Sequence, residues 1–423
     1  MSKETKNSIE PKLRFPDFKD LDTWREESLG SICDYWNGAS HEGGVTENGD
    51  FYLISLNSID IDGKLKSEMK RLSYTDNSLQ KNDLIMVLSD VAHGNFLGLT
   101  DIIPSNQFVL NQRMAGLRRK DLTTVNVFFL RTFINYHQKY FKLHGQGSSQ
   151  LNLSKSSVTE FPVLLPHPKE QQKIADCLSS LDELIFAENQ ILDALKVHKK
   201  GLMQQLFPSD GETVPKLRFE EFKDSGEWEY SKIEDYIDLL SGIPLKSEEL
   251  IDDASGIPIL RGINITEGYI RHSKDIDKYF LGDIEGIKKY IIKKNDLVIA
   301  MDGSKVGKNV ALINKKDENS ILIQRVARIR ANKKSDIRYI YQHIFSEKFQ
   351  NYVDKVNTSS GIPHISSQQI KDFKIGFPSL KEQQKVADCL SSLDEFITGQ
   401  AEKIEQLKEH KKGLMQGLFP YLN

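Results

Sequence analysis

The run Asp302-Gly303-Ser304-Lys305-Val306-Gly307-Lys308-Asn309 carries the glycines and lysines of a phosphate-binding loop. It departs from that loop twice. One residue too few separates the glycines, and Asn309 stands where a magnesium-binding Ser or Thr belongs. The better reading is a glycine-bearing turn between strands, able to touch nucleic-acid phosphates. The 10 histidines show no metal-ligand spacing, and HExxH, GxSxG and GxGxxG are all absent. So is the Asn-Pro-Pro-aromatic motif of amino-methyltransferases. Scattered helix carboxylates read as solvated faces. The expectation is a binding or scaffold protein without catalysis, metal or cofactor of its own.

Nucleic acid is the chemistry that the local pattern favours. Between Gln112 and Lys155 lie Arg113, Arg118, Arg119, Lys120, Arg131, Lys139, Lys142 and Lys155, with Asp121 as the one acid among them. Tyr136, His137, Tyr140 and His144 interleave. A second cluster holds Arg325, Arg328, Arg330, Lys333, Lys334, Arg338, Lys348 and Lys355 among Tyr339, Tyr341 and Tyr352. Such clusters suit phosphate neutralisation, and Arg, Gln and Asn can read base edges. The same pattern also describes a charged strand and helix face on any protein with a polar surface. The formal net charge of −3 gives no global attraction to DNA, so contact has to come from local patches.

Two long helices are the elements that must position these residues. Lys169–Pro208 and Lys381–Pro420 share 27 of 40 positions. One carries Ile174, Leu178, Leu181, Ile185, Leu192 and Leu195, and the other Val386, Leu390, Leu393, Ile397, Ile404 and Leu407. Steps of four and three put these on one stripe, the seam of a coiled coil. Polar residues interrupt both seams at matched places, Glu188 with Gln400 and Lys199 with Lys411, where they can fix register. Neither stripe can bury itself, and each is the other's nearest candidate partner. Pro168 suits a first helical position, and Ser379 with Glu382 has the capping-box pattern.

The repeat extends beyond the helices. PKLRF begins at Pro11 and again at Pro215, and a tryptophan follows each at Trp24 and Trp228. Lys81–Ile85 matches Lys294–Val298, and Gln112-Arg113 matches Gln324-Arg325. The chain is two diverged copies of one unit, each a globular segment followed by a long helix. Short apolar runs separated by Gly, Asn and Asp turns predict a largely antiparallel sheet, with helical stretches over Asn126–Leu143 and Asp336–Val356. The expected class is therefore α+β: two α/β domains joined by two long antiparallel coiled-coil helices, with internal pseudo-two-fold symmetry. The expected divisions are residues 1–165, 166–210, 211–377 and 378–423. Three cysteines make no disulfide framework, no apolar run approaches a membrane span, and residues 1–12 lack a signal peptide's apolar core. A reducing cytoplasm fits.

The two-copy layout, the proline-rich approach to a Lys-Glu-Gln-Gln helix at Pro166–Lys173 and Pro378–Lys385, the HKKGLMQ-x-LFP ends at His198–Pro208 and His410–Pro420, and KLRF at Lys12–Phe15 and Lys216–Phe219 together resemble the DNA-specificity subunit of type I restriction-modification systems. The resemblance covers essentially the whole chain. It implies two target-recognition domains reading the halves of a split double-stranded target, with the helix pair setting the gap. It implies a prokaryotic, cytoplasmic, non-catalytic subunit that recruits two methyltransferase subunits and, in the larger complex, restriction subunits. S-adenosylmethionine, ATP and magnesium would be used by those partners. An interaction scaffold built on a coiled coil, without DNA specificity, is the alternative reading of the same pattern.

If the half-sites differ, base readers belong in stretches that differ between the copies. These include His41, His93 and Asn95 in one copy, and Lys305, Lys308 and Asn309 in the other. Arg113, Arg118, Arg119, Arg325 and Arg328 are expected DNA contacts, with Arg113 and Arg325 shared framework or backbone contacts. The KLRF segments and the helix faces bearing Lys173, Lys199, Lys200, Lys385, Lys411 and Lys412 are the candidate methyltransferase-docking surfaces.

Overall fold

The computed structural model describes residues 10–91, 94–357 and 363–422. Two helices of 39 residues, Pro168–Leu206 and Leu380–Leu418, dominate it. At 1.5 Å per residue each is about 58 Å long. The chain divides into two compact units. One takes the described residues up to Gln190 together with those from Glu402 onward; the other is Ile191–Ala401. Both helices are thus shared, and each unit combines a globular segment with a piece of either helix.

In the first unit, a four-stranded antiparallel sheet runs in the order Cys33–Asn37, Met114–Arg119, Leu84–Val87, Thr100–Ile102. In the second unit the order is Ile237–Ser241, Val326–Ala331, Leu297–Ala300, Val310–Leu312, again antiparallel. A smaller sheet accompanies each, with one parallel pairing: Phe51–Ile54 beside Phe108–Leu110, and Ile257–Leu260 beside Ile321–Leu322. The strands Leu84–Val87 and Leu297–Ala300 are apolar at every position because both faces are covered. Leu84 and Met86 face a core with Trp24, Phe129 and Phe133, while Ile85 and Val87 face another with Ile54, Leu99 and Leu110. Leu297 and Ile299 against Val298 and Ala300 repeat this division.

The single helical stretch expected over Asn126–Leu143 is two helices, Val127–Tyr136 and Gln138–His144. The break falls at His137, whose Nε2 lies 3.0 Å from the Pro420 carbonyl oxygen. The stretch over Asp336–Val356 divides likewise into Ile337–Ile344 and Glu347–Val356. Here Ser346 caps the second helix by accepting from the Phe349 N–H.

Within each unit the helix pieces run antiparallel, and their seams are covered. All twelve seam residues are buried or half-buried. In the first unit the Lys411 ammonium donates to both Asp182 carboxylate oxygens at 2.7 Å, and Lys403 donates to Glu188 at 2.6 Å. In the second, Lys199 donates to Asp394 at 2.6 Å. Asp182 and Asp394 are equivalent positions of the repeat, as are Lys199 and Lys411, so one ion pair occurs twice. A lysine at a seam position is tolerable because its charge is matched across the seam, and a shift of register would strand both charges.

The motifs that recur in both copies are joints. Arg14 makes a two-pronged bond to Glu170, both donations at 2.9 Å, and Arg218 makes the same bond to Glu382 at 2.7 and 2.8 Å. The backbone N–H of Leu13 donates to Gly417 O and that of Leu217 to Gln205 O, laying each KLRF segment against a helix end. Gln171 and Gln383 are fully buried. Gln171 donates to Thr124 O and Pro166 O and accepts from Asn126 N; Gln383 donates to Lys334 O and Pro378 O and accepts from Asp336 N. Glu382 is therefore only half of a capping box. Its N–H is 3.4 Å from Ser379 Oγ, but its carboxylate turns to Arg218. Among the described residues no helix is long and apolar enough to cross a membrane.

Candidate nucleic-acid interface

Most arginines of the basic clusters seen along the chain are paired with carboxylates in space. Arg118 donates to both oxygens of Asp83, at 2.8 and 2.6 Å, and Arg330 does the same to Asp296 at 2.5 and 2.7 Å. Those aspartates are the matched Asp of the Lys-Asn-Asp-Leu segments, each also accepting a turn N–H from Gln80 or Lys293. Arg131 pairs with Asp101 at 3.2 Å, and Arg338 with Asp336 and Asp388. Lys348 pairs with Asp210.

Several of the expected DNA contacts are engaged within the protein. Arg118 is committed to Asp83 and lies over the Trp36 ring. Arg119 is partly buried and donates to Val125 O at 2.7 Å; burial lowers its pKa. Arg328 is buried against Asp238, and desolvation lowers its pKa too. His41 is buried, with Nδ1 3.1 Å from the Tyr74 hydroxyl and Nε2 3.3 Å from Asp76. Bonded hydrogen-bond geometry is lacking at that Nε2, so the contact with Asp76 is one of proximity. All four groups have partners or close contacts within the chain, and Arg118 and Arg119 keep part of their surface. His93 lies outside the described residues.

Some side chains of the docking surfaces expected from sequence have partners within the chain. Lys199 and Lys411 are spent on the seam ion pairs, and Arg14 and Arg218 of the KLRF segments on the glutamates. Lys200 pairs with Glu347 and Lys385 with Glu221, both near the surface. Lys173 and Lys412 remain exposed.

The expected base readers that stay accessible lie on two turns. Asn95 is exposed on the loop following Ser89–Val91, and its backbone carbonyl accepts from Gln138. Lys305 and Lys308 are exposed on the Asp302–Asn309 turn, with Asn309 half-buried behind them. Lys305 pairs loosely with Glu267 at 3.1 Å. The turn joins Leu297–Ala300 to Val310–Leu312, and its Gly303 and Gly307 have φ of 105° and 79°. It is the strand-connecting glycine turn that the residue types suggested.

Arg113 and Arg325 occupy the most unusual backbone positions. Their φ values are 70° and 67°. The other described non-glycine residues at positive φ are Asn77, Asn82, Asn295 and Asn319, and asparagine tolerates that region. Arginine does not, so a costly conformation at the same place in both copies points to a required side chain. Arg113 is exposed, and its side chain makes no hydrogen bond or ion pair among the described residues. Arg325 is 67% exposed, and its Nε lies 3.1 Å from Asp302 Oδ2. The other oxygen of Asp302 is contacted by Nδ1 of His364.

The backbone around these two arginines is the same in both units. Leu88 N donates to Arg113 O and Met301 N to Arg325 O; Leu153 N donates to Leu88 O and Ile365 N to Met301 O. On that common ladder the side chains differ. Where the second unit has Asp302 and His364, the first has Ser89 donating to Asn152 at 2.8 Å, with Gln150 in contact with the same hydroxyl. Gln150, Asn152 and His364 were not singled out from sequence. The signal was there in the matched Leu153-Ser154 and Ile365-Ser366, one residue before which the copies diverge from Asn to His.

Comparison with known proteins follows this geometry closely. The family model described as the type I restriction modification DNA specificity domain matches residues 22–197 and 225–409. The type I restriction enzyme MjaVIII specificity subunit of Methanocaldococcus jannaschii is 26% identical over 409 residues, 94% of this chain and 92% of its own. The EcoAI specificity subunit of Escherichia coli is 30% identical over 174 residues, 40% of this chain and 28% of its own. Among solved structures, the S subunit of a type I restriction-modification system from M. genitalium superposes with a TM-score of 0.65 at 16% identity, covering 98% of this chain and all of that one. That last likeness is one of fold.

Proposed function

The chain belongs to the type I restriction modification DNA specificity family, and from that premise we propose that it gives a type I restriction-modification complex its target sequence. Each unit reads one half of a bipartite double-stranded target, and the helix pair sets the number of unread base pairs between the halves. The observation that carries this reading is the double match: the family pattern occurs once in each copy, on one backbone frame with different accessible side chains. Two readers of one kind with different reading surfaces suit a target with two unlike halves.

The chain contributes recognition and no catalysis of its own. Two methyltransferase subunits dock on it, with restriction subunits joining in the full complex, all in the prokaryotic cytoplasm. Those partners use S-adenosylmethionine, ATP and magnesium. After the joints and seam pairs are subtracted, the exposed faces bearing Lys173, Lys200, Lys385 and Lys412 are the remaining candidates for methyltransferase contact. The test is co-expression with a type I methyltransferase subunit, followed by genome-wide mapping of methylated adenines. A bipartite motif is the expected result, and methylation without sequence preference would refute the reading.

A further inference from the structure

We propose that Arg325, braced by Asp302 and His364, is a base-reading residue that takes a guanine in the half-site contacted by the second unit. The inference rests on the DNA-recognition reading above and deepens it to a residue and a base. Guanine presents two acceptors, O6 and N7, on its major-groove edge, and the two-pronged guanidinium matches them. Asp302 Oδ2 lies 3.1 Å from Nε of Arg325, and the terminal nitrogens of the fork make no hydrogen bond among the described residues. His364 contacts the far oxygen of Asp302 and so restricts how the brace can turn.

A phosphate contact explains this arrangement poorly. An arginine that neutralises phosphate is served by its full charge, whereas a carboxylate 3.1 Å away cancels that charge and repels the phosphate. A base edge is neutral and rewards fixed orientation instead. The positive φ of 67° adds to the argument, because it holds the Cα–Cβ direction at a turn where a glycine or asparagine would cost less. The first unit sharpens the contrast. Arg113 stands on the same ladder, but its neighbours Ser89, Gln150 and Asn152 are uncharged, so its charge stays whole. The exchange of Ser89 and Asn152 for Asp302 and His364 is thus one that would make two otherwise alike readers prefer different half-sites.

The test uses the full chain in complex with its methyltransferase subunit, assayed by methylation-site mapping and by competition binding to duplexes carrying each base at each target position. Arg325→Gly removes the fork at a φ that glycine accepts, so folding is preserved. Arg325→Lys keeps the charge and loses the fork. Both should lower preference for guanine at one position of one half-site by about 5- to 150-fold and leave the other half-site unchanged. Asp302→Asn should relax the same position to a smaller extent. Uniform weakening at every target, with a shallower salt dependence, would mark Arg325 as a phosphate contact and overturn the proposal. A bipartite preference unmoved by Arg325→Gly would overturn it as well, while the DNA-recognition reading stood. An unmutated complex without sequence preference would bring down both.

Discussion

Removing the Glu382 carboxylate should cost the second unit more than removing Glu170 costs the first. Both glutamates are 1% exposed, and their arginine partners are 7% and 9% exposed. Truncating one member of such a buried pair leaves the other charge unmatched, which costs about 3–5 kcal/mol. Glu382 does one thing more than Glu170: it accepts from Trp228 Nε1 at 3.3 Å, whereas Trp24 Nε1 is buried without a partner. Glu382→Ala should therefore exceed Glu170→Ala by roughly 1 kcal/mol, the worth of one hydrogen bond. A single global unfolding energy is poorly defined for a chain of two units, so the measurement is urea-dependent hydrogen exchange read on peptides from each unit. Replacing the whole pair, as Arg218→Met with Glu382→Leu, should return most of the loss, because no charge is then stranded. Losses below about 1 kcal/mol for both single variants, or a double variant no better than Glu382→Ala, would refute the reasoning.

Burial without a partner pushes the His343 imidazole down to about 3, against 6.5 for the unfolded chain. The unfolded state then binds the extra proton first, so stability of the second unit should fall by up to about 1.4 kcal/mol per pH unit from pH 6.5 toward 3. His343→Phe should flatten that slope in acid melts. Arg118→Met should lower the melting temperature of the first unit without altering the salt dependence of DNA binding, since Asp83 rather than phosphate is its partner; a changed salt slope in a titration would contradict this. Seven residues inserted at matched points in both long helices add about 10 Å. Methylation mapping should then show a gap about three base pairs longer between unchanged half-sites.

The duplication, the helices and the class of fold could be read from the sequence because they are periodic or local. Seam residues four and three apart, or a Trp following KLRF, need no distant partner to be recognised. The meaning of Arg14, Glu170 and Gln171 could not be read that way. Their bonds close over as many as 156 positions, and the pattern alone cannot distinguish a joint from a docking surface. The internal partners of the basic clusters were hidden for the same reason. Asp83, Asp101 and Asp296 are remote in sequence and adjacent in space. Arg325 could be singled out from the matched Gln-Arg pairs, but its surroundings could not, because Asp302 and His364 lie 62 positions apart.

The joint between long helix and globular segment is made largely with main-chain atoms. Gln171 and Gln383 grip carbonyls and N–H groups of whatever residues occupy those loop positions: Thr124 and Asn126 in one unit, Lys334 and Asp336 in the other. Such a coupling is indifferent to its passenger. A foreign globular segment that brings its loop along the same path can re-form these main-chain bonds whatever its side chains are. An attachment of this kind puts little constraint on the side chains of the segment it holds, so the two globular segments can diverge in sequence while both stay fixed to the helices.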